Sequence, residues 1–200
     1  MIDTAIIILA AGSASRFGKI KQLLPFGHKT LIEHVIDEAI AAKADPVIVV
    51  TGAHADEVSK SINQKVQVIF NEHWKDGMAS GIVAGVNKSI ALYNHVNKII
   101  IAVCDQPFIS ADLFKQLDAK QHETGRPIIA CAYADTFGTP VLFTQKYFHA
   151  LMGLQGDEGA KEILKSNPED VATISFPRGN IDIDTMEDYK KLLDNQKHVL

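Results

Sequence analysis

The chain is poor in the features that mark several large protein classes. Only two cysteines, Cys104 and Cys131, occur in 200 residues, far apart and in no metal-ligand spacing. A disulfide scaffold and a structural zinc site are therefore not indicated, and free thiols in a reducing compartment are the plain reading. No stretch approaches the ~20 consecutive apolar residues that span a bilayer. Asp3 precedes an apolar run of strand length without the charged segment and cleavage site of a secretory leader, so a cytoplasmic protein with no membrane partner is expected. Basic excess is also missing. Lys and Arg number 20 against 24 Asp and Glu, a net charge of -4, with no Lys/Arg run or aromatic-basic stripe, which argues against a nucleic-acid partner. The eight histidines fall in no H-x-x-x-H or H-E-x-x-H pattern, so residues such as His34 and His149 read as packing or surface groups.

What is present is one substantial core and a regular alternation. With 46% hydrophobic content and no internal repeat or low-complexity linker, residues 1–200 are expected to form a single domain. Apolar runs near Ala5 to Leu9, Val47 to Val50, Val66 to Phe70 and Lys98 to Val103 have strand length and the Ile/Val density of strands buried on both faces, hence parallel pairing. Between and after them, Ile32, Val35, Ile36, Ala39 and Ile40 repeat at helical spacing behind a Thr30/Glu33 capping box. Further helices are predicted from Ser80 or Gly81 to about Tyr93, from Ser110 to His122, from Gln145 to Met152 and from Glu158 to Lys165. A last helix follows Thr185. Ile128 to Cys131, Val141 to Phe143 and Val171 to Phe176 complete an α/β pattern. In such a sheet the loops at the carboxyl ends of the strands converge on a crevice.

The first of those loops is the most informative. Ala10-Ala11-Gly12-Ser13-Ala14-Ser15-Arg16-Phe17-Gly18-Lys19-Ile20-Lys21 sets three cations among Gly, Ala and Ser, where backbone N–H groups can approach an anion unobstructed. This is a polyphosphate loop in outline. A Walker A loop needs four residues between its glycines and then Lys followed by Ser or Thr; here five separate Gly12 from Gly18, and Lys19 precedes Ile20. A dinucleotide fingerprint needs G-x-G-x-x-G and an acid ending the second strand, whereas Gly12 is followed by Ser13-Ala14 and the second strand ends in Thr51-Gly52.

Leu9-Ala10-Ala11-Gly12, Ser15-Arg16-Phe17-Gly18, Lys21-Gln22-Leu23-Leu24-Pro25-Phe26-Gly27 and Thr30-Leu31-Ile32-Glu33-His34-Val35-Ile36 together resemble the MobA-like nucleotidyltransferases, and within them the molybdenum cofactor cytidylyltransferases. Segments 71–81, 104–108, 138–143, 156–160 and 182–185 extend the resemblance in family order over essentially the whole chain. The resemblance implies a Rossmann-like three-layer α/β/α nucleotidyltransferase fold with a mostly parallel sheet. It implies magnesium-assisted transfer of CMP from CTP to the terminal phosphate of molybdenum-bound pterin, releasing pyrophosphate, with a molybdenum hydroxylase as recipient of the product. Leu9-Ala10-Ala11-Gly12 in place of LAGG, and Gln106, point to CTP over GTP. Two alternatives stay open: a GTP-using enzyme or one with another phosphorylated acceptor, and a non-catalytic protein that binds and delivers the cofactor.

Asp105 directly follows an apolar strand, so a rigid element delivers a carboxylate to the crevice, a sound place for a magnesium ligand. The resemblance favours Asp184 as the second ligand, with Asp182 as its neighbouring alternative. The plainer roles are a turn before Pro107 for Asp105 and a helix N-cap for Asp184. Arg16, Lys21 and Asp105 form the expected catalytic set, with Arg16 and Lys21 clamping the triphosphate and Lys19 merely solvated. The resemblance sets Gly77, Met78 and Ser80 against the base, completing a nucleotide-binding set with Leu9, Ala10, Ala11, Gly12, Arg16, Lys21 and Asp105. Gly156 to Ala160 is expected on the second-substrate side, Trp74 as packing, and Cys104 as a core residue.

Overall fold

The computed structural model describes residues 3–13, 18–63 and 65–197. In chain order the elements are β1 (Thr4–Ala10), β2 (Pro25–Phe26), β3 (Lys29–Thr30), α1 (Leu31–Ala41), β4 (Val47–Thr51), α2 (Ala55–Ser61), β5 (Gln67–Phe70), α3 (Met78–Leu92) and β6 (Lys98–Val103). There follow α4 (Ala111–Thr124), β7 (Ile128–Tyr133), β8 (Thr136–Thr144), α5 (Phe148–Met152), α6 (Ala160–Ser166), β9 (Val171–Ser175) and α7 (Met186–Lys197). The seven-stranded sheet has the order β5-β4-β1-β6-β8-β7-β9. Its pairs are parallel except those of β8, which runs against both β6 and β7.

Period-two alternation in β1 builds the three layers. Ile6 and Ile8 pack with Ile32, Val35 and Ile36 of α1 and Phe114 and Leu117 of α4. Ala5 and Ile7 point the other way, to Ile82 and Val86 of α3 and to Phe148, Ile163 and Leu164 beyond. Burial on both faces explains the unbroken Ile/Val runs of β1, β4 and β6, whereas β5, expected to be buried likewise, lies at the sheet edge and leaves Val68 and Phe70 exposed. The capping box of α1 is formed: Glu33 N donates to Thr30 Oγ1 at 3.3 Å, and Thr30 N donates to Glu33 Oε2 at 2.8 Å. No described helix is long and apolar enough to cross a membrane.

Two elements differ from expectation. The short helix α2 buries only Val58, so its sequence carries almost no amphipathic signal. The segment expected at Val141 to Phe143 is the end of a nine-residue strand, β8, that begins at Thr136. Cα partners step from Ala130–Val141 to Cys131–Gly138, so Thr139 and Pro140 sit in a bulge where the proline breaks no ladder bond. A third, smaller cluster joins Leu24 and Leu31 to Ile183, Tyr189 and Leu192, and Tyr189 Oη donates to Pro25 O at 2.7 Å, docking α7 beneath the first loop.

Candidate active site

At the carboxyl ends of β1 and β6, three distant segments meet on one ammonium group. Lys21 Nζ donates to Asp105 Oδ2 at 2.7 Å and to Asp184 Oδ1 at 3.0 Å. Lys21 stands on a short 3-10 turn, Lys21–Leu23, that packs against α1. Asp105 follows β6. Asp184 is presented by the loop before α7, and this loop is fastened at three points. Ile183 N donates to Asp105 O at 3.1 Å, the Ile183 side chain is fully buried, and Gln106 Nε2 donates to Gly179 O at 2.7 Å. The helix cap belongs to the next residue: Asp188 N donates to Thr185 Oγ1, and Thr185 N donates to Asp188 Oδ2. Asp184 is therefore released from capping and free to face Lys21.

The electrostatics follow from crowding three carboxylates round one cation. Burial opposes the charge of Lys21, yet Asp105 and then Asp184 outweigh it and raise its pKa. Partial burial, then the charges of Asp105 and Asp184, push the Asp182 carboxyl up to about 6 against the pull of Lys21. Next to Asp105, burial above all pushes the Cys104 thiol up to about 12, which leaves it an inert core group.

Asp105 and Asp184 are hard oxygen donors already converging on one cation, which is the chemistry a divalent cation such as magnesium or manganese asks for. Among the described residues no set of three or more His, Cys, Asp and Glu side chains closes into a metal cage. The residues fit an ion that takes its remaining ligands from water and substrate phosphate.

Lys21 and Asp105 also border a cavity of about 510 Å³, whose walls include Leu9, Ala10, Ala11, Gly12, Gly77, Met78 and Gly81. The first loop is held by a side chain that sequence reasoning missed. Gln22, buried to 2% exposure, donates through Nε2 to Ala10 O at 2.9 Å and to Gly12 O at 3.0 Å. Nothing in its neighbourhood distinguishes Gln22 from an ordinary polar turn residue before the chain is folded. Trp74 borders the same cavity with its Cβ pressed against Gly52.

Most of the expected nucleotide set thus lies on one cavity: Leu9, Ala10, Ala11, Gly12, Lys21, Gly77, Met78 and Asp105. Asp184 reaches it through Lys21. Ser80 is different. Its hydroxyl donates to Gly77 O and accepts from Asn71 Nδ2, both at 2.8 Å, and it lines a neighbouring hollow of about 470 Å³, so it braces the loop instead of facing the cavity. Gln106, read as a nucleotide discriminator, is 2% exposed and spends its amide on Gly179 O; it straps two loops together. Asp157, expected on the second-substrate side, borders the cavity of the first loop. Arg16 lies outside the described residues, and Lys19 is exposed.

Known proteins resemble this chain over most of its length. Residues 6–171 match the family model of the MobA-like NTP transferase domain. The nicotine blue oxidoreductase of Paenarthrobacter nicotinovorans is 30% identical over 199 residues, 94% of this chain and 95% of that protein. A Bacillus cereus (strain ATCC 10987 / NRS 248) protein described as "Probable molybdenum cofactor guanylyltransferase" is 33% identical over 130 residues, 62% of this chain and 60% of that one. Among solved structures, Rv0371c of Mycobacterium tuberculosis H37Rv superposes with a TM-score of 0.84 at 26% identity, covering 96% of this chain and 98% of that one. Its complex with manganese shares the fold with a TM-score of 0.79 at 24% identity, covering 96% and 98%.

Proposed function

The chain belongs to the MobA-like NTP transferase family and is a nucleotidyltransferase, and from that premise we propose that it transfers CMP from CTP to the terminal phosphate of molybdenum-bound pterin, within a single domain spanning residues 1–200. The observation that carries the reading is Lys21 Nζ held between Asp105 and Asp184 at the edge of a cavity walled by the 9–12 loop and the start of α3. The attacking phosphate is anionic near neutral pH, so no general base is required. Positioning and charge neutralisation carry the reaction.

In this reading Gln22 fixes the loop whose backbone receives the nucleotide, and Gly77 and Met78 border the base. Lys21, together with Arg16, holds the departing pyrophosphate. Magnesium on Asp105 and Asp184 would neutralise charge developing at the α-phosphate. The sequence Leu9-Ala10-Ala11-Gly12 supports CTP. A guanylyl transfer is the second reading, favoured by the 33% identity to the Bacillus cereus protein. Hydride transfer, which the name of the Paenarthrobacter relative brings forward, finds no dinucleotide fingerprint after β1, since Gly12 leads into Ser13 and β4 ends in Thr51.

The deciding experiment measures pyrophosphate release from each of the four nucleoside triphosphates with molybdopterin and magnesium. CTP-dependent release is expected. Release with GTP alone would move the enzyme to the guanylyl reading, and no product with any nucleotide would leave a protein that binds and delivers the cofactor.

A further inference from the structure

We propose that Asp157 determines base specificity, its carboxylate accepting a hydrogen bond from the amino-bearing edge of the nucleotide base and thereby excluding uracil. The proposal rests on the nucleotidyltransferase reading and names the group that reads the nucleotide.

The turn between α5 and α6 is locked onto the start of α3. Gly77 has φ +99°, and a Cβ there would lie 2.2 Å from Gly156 O and 2.7 Å from Asp157 Oδ1. Ala79 N donates to Gly156 O at 3.1 Å, and a Cβ on Gly159 would stand 3.1 Å from Met78 Sδ. This interlock seats the Asp157 carboxylate beside Gly77 and Met78, on the wall of the cavity. A residue other than glycine at 77 would be strained and would drive the carboxylate away.

Among the described residues, four charged side chains border the cavity: Lys21, Lys75, Asp105 and Asp157. Lys21 and Asp105 are paired with each other, and the Lys75 ammonium sits 5.4 Å from the centroid of the Trp74 ring. Among the described residues Asp157 has no hydrogen-bond or ion-pair partner, whereas the adjacent Glu158 accepts from Gln155 N. An unpaired carboxylate repels a polyphosphate, so the triphosphate belongs at the Lys21 end and a neutral, donor-bearing part of the nucleotide belongs beside Asp157. An ionised carboxylate accepts hydrogen bonds and donates none. Cytosine and guanine offer it an amino group. The imide of uracil is flanked by two carbonyl oxygens that the carboxylate repels.

The test is calorimetric binding of magnesium CTP, UTP and 2′-deoxy-CTP to the wild type and to Asp157→Asn, whose amide can donate as well as accept. The wild type should prefer CTP to UTP by roughly tenfold or more, and Asp157→Asn should erase most of that preference while leaving the ratio of CTP to 2′-deoxy-CTP unchanged. Should GTP be the wild-type ligand, the same substitution must erase its preference over ITP, which lacks the 2-amino group. An unchanged preference in Asp157→Asn overturns the proposal. So does a shift in the deoxy ratio instead, which would assign Asp157 to the ribose. Failure of every triphosphate to bind the wild type would defeat the underlying nucleotidyltransferase reading itself, an outcome distinct from a Asp157→Asn protein that binds without altered preference.

Discussion

A lysine and two aspartates, drawn largely from other segments, meet near each end of β6, and the two clusters differ. At its amino end Lys98 Nζ contacts Asp118 Oδ1 at 2.7 Å and Asp3 Oδ1 at 3.2 Å. At its carboxyl end Lys21 makes nearly the same two contacts with Asp105 and Asp184. The Lys98 cluster is closed: the lysine side chain is 5% exposed, Thr4 Oγ1 donates to Asp118, and His122 Nε2 lies 3.2 Å from the ammonium. The Lys21 cluster is open to a cavity and carries a surplus carboxylate, Asp182. Charge inventory alone does not separate a strut from a site. An open face and unbalanced negative charge do.

Substitution of the matching aspartates should pull the two ends apart most strongly. Asp105→Ala is expected to lower metal-dependent pyrophosphate release by about a hundredfold or more, with little change in the thermal midpoint. Asp118→Ala should instead cost about 2 kcal/mol of stability by removing the shorter of the two carboxylate contacts of buried Lys98, with turnover per folded molecule intact. Equal losses of activity in both variants would erase the distinction. The lysines sharpen it further. Lys21→Met should tighten divalent-cation binding to the nucleotide-free protein, because two carboxylates lose a competing ammonium, while slowing turnover; calorimetry with Mn²⁺ and a pyrophosphate assay read the two effects. Unchanged cation affinity would show that Lys21 does not compete for the carboxylates.

Smaller effects resolve the open cluster internally. Thr185→Ala should cost about 1 kcal/mol as a lost cap with modest change in turnover, and Asp184→Asn should show the reverse; chemical denaturation and initial rates separate them. Last comes pH. The folded Asp182 carboxyl titrates near 6, above its ordinary 3.8, so the folded state keeps a proton there that the unfolded state has lost. In metal-free protein the Asp182 contribution should therefore weaken stability as pH rises from about 4 to 6. Asp182→Asn should flatten that slope, and an identical slope in both proteins would remove Asp182 as its source.

Much of the architecture was legible because parallel strands buried on both faces write themselves as Ile/Val runs, and because Thr30, Ser110 and Thr185 mark helix starts. The bulged β8 was partly hidden: the apolar run marks only Val141 to Phe143, and Gly138-Thr139-Pro140 before it joins the strand through a bulge that only the neighbouring strand defines. At the site, local composition exposed Gly12, Lys21 and Asp105. Gln22 and Gln106 stayed opaque because their roles lie in bonds to distant carbonyls. The placement of Ser80 was hidden for the same reason: a hydroxyl at a helix start has several partners within reach, and packing selects Gly77 O and Asn71.

Ile183, buried between two surface aspartates and packed on Leu31, Tyr189 and Leu192, ties the second carboxylate to the docking of α7. Synthesis therefore delivers the loop after β1 and Asp105 well before the α7 residues that pack against Ile183. Undocking α7 would therefore be expected to draw Asp184 away from Lys21 while leaving the walls of the cavity in place.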